Sequence, residues 1–91
     1  NALAANLIGS DNTALGANAL AINIASNNTA LGSSALSLNT TGTNNIAVGP
    51  SALASNIVGN NNTAIGVSAL AATTSSDNTA IGFQALQSNT T

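Results

Sequence analysis

Asp11 and Asp77 are the two charged side chains of a 91-residue sequence that contains no Lys, Arg, His, Cys, Met, Trp or Tyr. Around them lie many Ser, Thr and Asn residues, whose hydroxyls and amides bind readily but react only with help. A nucleophilic hydroxyl needs a base beside it, and the sequence supplies no His, Lys, Cys or Glu for that role. Paired carboxylates are the other route to acid–base chemistry. The two Asp residues occupy the same position of an internal repeat, four copies apart, or roughly 19 Å at the strand spacing. Within one chain they cannot pair, and an acceptor role in a turn is the plainer reading of both. Calcium shared with a neighbouring chain would rest on one carboxylate per site, against the about six to eight oxygens that calcium takes. The expectation is a chain that is not an enzyme and holds no cofactor or metal.

Hydroxyls and amides can bind without reacting. Thr13, Thr29, Thr63 and Thr79 recur at one repeat position, a file broken by Ile46. Regularly spaced hydroxyls and methyls can order water, so a module binding ice or a glycan through the Thr and Asn columns is the competing functional expectation. Four glycosylation sequons stand at Asn27, Asn39, Asn61 and Asn89. In so Asn- and Thr-rich a sequence they arise by chance, and an intact mass decides their use. With a net charge of −2 and no Lys or Arg, the chain lacks the cations that bind nucleic-acid phosphates or anionic lipid. No apolar run approaches the roughly 18 residues of a membrane-spanning helix. Without cysteine there is neither a disulfide nor a clue to compartment.

The elements that carry these side chains come from a repeat. Aligning on the Ala-Leu pairs places Ala2, Ala19, Ala35, Ala52, Ala69 and Ala85 at spacings of 17, 16, 17, 17 and 16 residues. Gly16, Gly32, Gly49, Gly66 and Gly82 keep that register, as do Asn12, Asn28, Asn45, Asn62 and Asn78. A second asparagine column follows at Asn6, Asn23, Asn39, Asn56 and Asn89, with Thr73 as its exception. The consensus N-T-A-(I/L/V)-G-x-x-A-L-x-x-N ends in a connector of four residues in "IASN" and "TSSD" and five in "LIGSD", "TTGTN" and "IVGNN". Length varies only in the connector, as expected where the chain turns on a surface while the rest stacks in register. Helical solenoids take more than about 30 residues per repeat, and every copy carries Gly, Asn, Thr and Ser that compete with helix. The period suits a parallel β-solenoid, or β-roll, of 16–17 residues per coil. Residues 1–91 then form one repetitive segment of five to six coils.

Each coil is expected to hold a strand at N-T-A-I, a turn at Gly-x-x, a second strand through A-L-x-x-N and a turn through the connector. Pro50 fits the turn after Gly49. The Gly column calls for positive φ or close approach to the next coil. The Asn columns should stack as amide ladders, with Asx-turns as the competing reading. The apolar columns are Leu15, Leu31, Val48, Ile65 and Ile81, and Leu3, Leu20, Leu36, Leu53, Leu70 and Leu86. Each follows an Ala, and neighbours on a strand face opposite ways. One member of each pair should fill a thin core and the other should face out, giving an aliphatic stripe that marks an interface. The expected partners are copies of the same chain, as a three-fold bundle with Leu and Ile on the shared axis.

"NNNTAIGVSAL" (60–70) and "NTALGSSALSLNTTG" (28–42) resemble the NTAxGxxALxxNTTG repeats of bacterial and phage tail-fibre-domain proteins. They are more distantly similar to the NSxAIG-type repeats in the heads of trimeric autotransporter adhesins. The resemblance spans nearly all of the sequence, although the Tyr usual after the Gly is missing. It implies a parallel β-roll, often trimeric, serving as the stalk or head of a surface fibre. The expected role is thus structural: an extracellular, cell-surface or virion fibre. The ends "NAL" and "SNTT" fall within a repeat, so a segment of a longer fibre is expected. A receptor or glycan is not specified by these residues.

Overall fold

The computed structural model describes residues 9–88. Over these residues the protein is an all-β parallel solenoid of about four turns, with no helix among them. Five short strands, β1 (Thr13–Leu15), β2 (Thr29–Leu31), β3 (Ile46–Val48), β4 (Thr63–Ile65) and β5 (Thr79–Ile81), lie in one sheet in chain order. All pair in parallel and in strict register, so that Ala14, Ala30, Ala47, Ala64 and Ala80 align. In each strand this Ala points into the core. Its two neighbours, Thr (or Ile46) and the aliphatic residue, point outward, as the two-residue period requires. An Ala inside suits a narrow coil, because a larger side chain would force the walls apart.

The second strand expected through A-L-x-x-N is absent. That segment runs instead as overlapping turns: Gly16 O accepts from Ala19 N–H at 3.2 Å, Ser51 O from Ala54 N–H at 3.2 Å, and Leu20 O from Asn23 N–H at 3.3 Å. Asn18, Ser34, Ser51, Ser68 and Gln84 carry φ of 55–62°, and Leu20, Leu36, Leu53, Leu70 and Leu86 carry φ of 49–52°. These are left-handed positions that turns of this kind normally give to Gly or Asn. The period-two alternation fails there because it holds only for extended backbone. As a result both members of the Ala-Leu pair turn inward, contrary to the expectation that one would face out. Ala19, Leu20, Ala35, Leu36, Ala52, Leu53, Ala69 and Leu70 are all fully buried. A bulky left-handed residue costs about 1–2 kcal/mol, and burying a Leu side chain contributes about 1.5–3 kcal/mol. The burial wins. Leu86, with no coil above it among the described residues, is 52% exposed.

The glycine column stands at the other corner of the strand. Its five members carry φ of 125–131°, a region essentially closed to residues with a Cβ. A Cβ on Gly49 would also lie 2.7 Å from the backbone of Gly66 in the next coil. Successive coils therefore touch backbone to backbone along this edge. Pro50 lies in the turn that follows.

Candidate functional site

The polar columns build the most distinctive arrangement in the molecule. In the first, Asn28 N–H donates to Asn12 Oδ1 at 2.9 Å, Asn45 N–H to Asn28 Oδ1 at 3.0 Å, Asn62 N–H to Asn45 Oδ1 at 2.9 Å and Asn78 N–H to Asn62 Oδ1 at 2.9 Å. The amide oxygen of one coil thus accepts the backbone N–H of the next. In the second column amide meets amide: Asn39 Nδ2 donates to Asn23 Oδ1 at 2.6 Å and Asn56 Nδ2 to Asn39 Oδ1 at 2.9 Å. Asn23, Asn28, Asn39, Asn45, Asn56 and Asn62 are fully buried. Buried amides are costly unless bonded, so each coil needs its neighbour to be satisfied. Leu3, Asn6 and Asn89 lie outside the described residues.

A connector carbonyl joins the two columns, and the letters of the sequence do not announce it. Gly42 O accepts from Asn28 Nδ2 at 2.8 Å and Asn39 Nδ2 at 2.9 Å. Gly59 O does the same for Asn45 and Asn56 at 2.8 and 3.1 Å. In a four-residue connector Ala25 O takes both Asn12 Nδ2 and Asn23 Nδ2 at 2.7 Å. Ser75 O receives Asn62 Nδ2 at 2.8 Å. The connector is therefore only partly free surface: Gly42 and Gly59 are buried within it. The extra residue of the longer connectors, Thr41 or Val58, bulges out before the carbonyl and is exposed. The recurrence of Gly in the longer connectors was the available signal.

Outside, Asn44 Nδ2 donates to Asn61 Oδ1 at 3.2 Å and Asn61 Nδ2 to Asp77 Oδ1 at 3.0 Å. Asp11 and Asp77, with φ of 58° and 64°, occupy the same left-handed corner as these Asn residues, and Asp77 accepts from the coil before it. The structure does not bring the two carboxylates together. Among the described residues no group of three or more His, Cys, Asp or Glu residues could hold a metal ion. Nor do the described residues form a pocket.

The strand face is a regular surface that runs across all five strands. Leu15, Leu31, Val48, Ile65 and Ile81 form an outward file beside the Thr file, and Leu15 and Ile81 are each 69% exposed. Val67 and the 73%-exposed Phe83 extend it around the glycine corner. A smaller apolar patch, Ile22, Ile24, Leu38, Ile57 and Val58, lies on the first three coils. The repeat alignment did not single it out, because Ser and Thr interrupt its columns in later coils.

Short parallel strands, inward Ala and Leu, and asparagine ladders closed by connector carbonyls define a β-solenoid repeat protein. No protein-family model, curated protein or solved structure matches the chain.

Proposed function

We propose that the chain is a structural segment of an extracellular or surface fibre, assembled from copies of itself. The observation that carries this reading is the aliphatic file on the strand face, which runs the length of the described coils without a charge. Apolar stripes of this extent mark interfaces, and a self-complementary file suits a three-fold bundle with Leu15, Leu31, Val48, Ile65 and Ile81 along its axis. The resemblance to tail-fibre and adhesin-head repeats points the same way. With no Lys or Arg, trypsin-like proteases have no cleavage site, which suits exposure outside a cell. Electron microscopy of the native material should show thin rods or filaments, and sedimentation should give an oligomer that Ile65→Asp dissociates. Compact monomeric particles together with a monomeric sedimentation coefficient would sink the reading.

A second reading has its own observation. Thr40, Thr43 and Thr73 spend their hydroxyls on hydrogen bonds within the protein. Thr13, Thr29, Thr63 and Thr79 make none among the described residues, so their hydroxyls stand free as two pairs, Thr13 with Thr29 and Thr63 with Thr79, about 4.8 Å apart within each pair and separated by Ile46. Such pairs could bind ice or a glycan. The two readings claim the same face: a monomer that shapes ice crystals favours the second, and an oligomer without thermal hysteresis favours the first.

A further inference from the structure

The inner amide ladder has one fault. Asn56 is fully buried, yet its Oδ1 has no hydrogen-bond partner in the protein. In the two preceding steps this oxygen's counterparts receive Nδ2 of the next coil. Here the next coil carries Thr73, also fully buried, whose side chain is shorter and whose Oγ1 sits 3.2 Å from Ser75 Oγ instead. The backbone at the same corner is altered too. Ile24 N–H donates to Thr40 O at 3.1 Å, and Thr40 N–H to Ile57 O at 2.9 Å, but Ile57 N–H makes no matching bond to Thr74. Two independent inter-coil bonds thus fail at one step.

We propose that the Asn56–Thr73 corner is a hydrated joint: it binds one water in place of the lost amide and is the interior step at which the solenoid opens first. The chemistry fits a water and little else. An –NH₂ group and a water are nearly the same size, and a buried water needs two to four polar partners. Asn56 Oδ1 supplies an acceptor, while the Thr73 and Ser75 hydroxyls supply groups that donate or accept. Apolar solutes find no use for that set, and a cation would meet no carboxylate there. A water held at the corner exchanges with solvent, so the coils on either side part more readily than those joined by direct amide bonds. The inference stands apart from the fibre reading, because it concerns one coil step within a single chain.

Hydrogen exchange on the full chain tests it, with a high-resolution crystal structure alongside. Asn39 N–H and Asn56 N–H close the same turn, to Leu36 O at 3.2 Å and Leu53 O at 3.1 Å, so a difference between them reports the corner and not the turn. Asn56 N–H should exchange about tenfold faster than Asn39 N–H, and Thr73→Asn should abolish that difference. Electron density should show a water between Asn56 Oδ1 and Thr73 Oγ1, replaced by Nδ2 in Thr73→Asn. Should the variant fail to fold, Thr73→Val removes the hydroxyl at constant shape and should widen the gap in exchange. Equal protection of Asn39 and Asn56, or a direct bond from Thr73 Oγ1 to Asn56 Oδ1, overturns the joint.

Discussion

At Thr73 one hydroxyl stands where five other copies of the repeat have an amide in the sequence, and the difference has a measurable value. Restoring the amide with Thr73→Asn adds a buried hydrogen bond, worth about 1 kcal/mol net. For a chain of this size that raises the melting temperature by about 4–8 °C, as calorimetry would show. Gly49 is the opposite case. Gly49→Ala demands a φ of 125° from a residue with a Cβ and drives that carbon to 2.7 Å from the Gly66 backbone. Strain and overlap together should cost about 3 kcal/mol or more, read as a loss of the folded signal in a urea titration. Both columns were legible in the sequence, because an Asn or Gly repeated at fixed register announces a constraint on that position. The connector carbonyls of Ala25, Gly42, Gly59 and Ser75 were not, since a backbone oxygen has no letter and four connectors place it under three different residues.

Each coil consists of one three-residue strand and a run of turns, and the turns hold most of the core. Leu53→Ala removes a fully buried side chain between two other coils and should destabilise the monomer by about 2–5 kcal/mol. Leu31→Ala, on the outward file of the neighbouring strand, should change monomer stability by much less, with its effect appearing in sedimentation if the strand face is an interface. Thermal melts of the two variants at low concentration separate these roles. The strand at T-A-(I/L/V) was readable because extended backbone imposes a period of two. The segment A-L-x-x-N invites a strand reading for the same reason. In "LAINI" (20–24) the large apolar residues alternate with Ala and Asn as on a strand, while the decisive feature is a left-handed Leu20 that no propensity favours. Its conformation is set by the fit of Leu20, Leu36, Leu53 and Leu70 above one another, a contact between residues 16–17 apart that no short window contains.

For the molecule as a whole, stability is a sum over similar coil-to-coil steps. Deleting residues 46–62 removes one repeat and joins Asn45 to Thr63, restoring the register. The shortened chain should still fold, with a urea m-value lower by about one-fifth; an unfolded product would show that the coils are not interchangeable. With only two charged side chains, screening has little to act on, so raising salt from low to molar concentration should leave the melting temperature nearly constant. The glycine edge bears on how such a body deforms. Along Gly16, Gly32, Gly49, Gly66 and Gly82, backbone already rests on backbone, so that side cannot shorten when the rod is loaded from outside. Flexure toward it is blocked, and flexure away must open hydrogen bonds at the far corners. The rod should therefore resist bending toward this edge more than bending away from it, because four glycines, Gly16, Gly32, Gly49 and Gly66, carry a hydrogen where any other residue would press a carbon against the next coil.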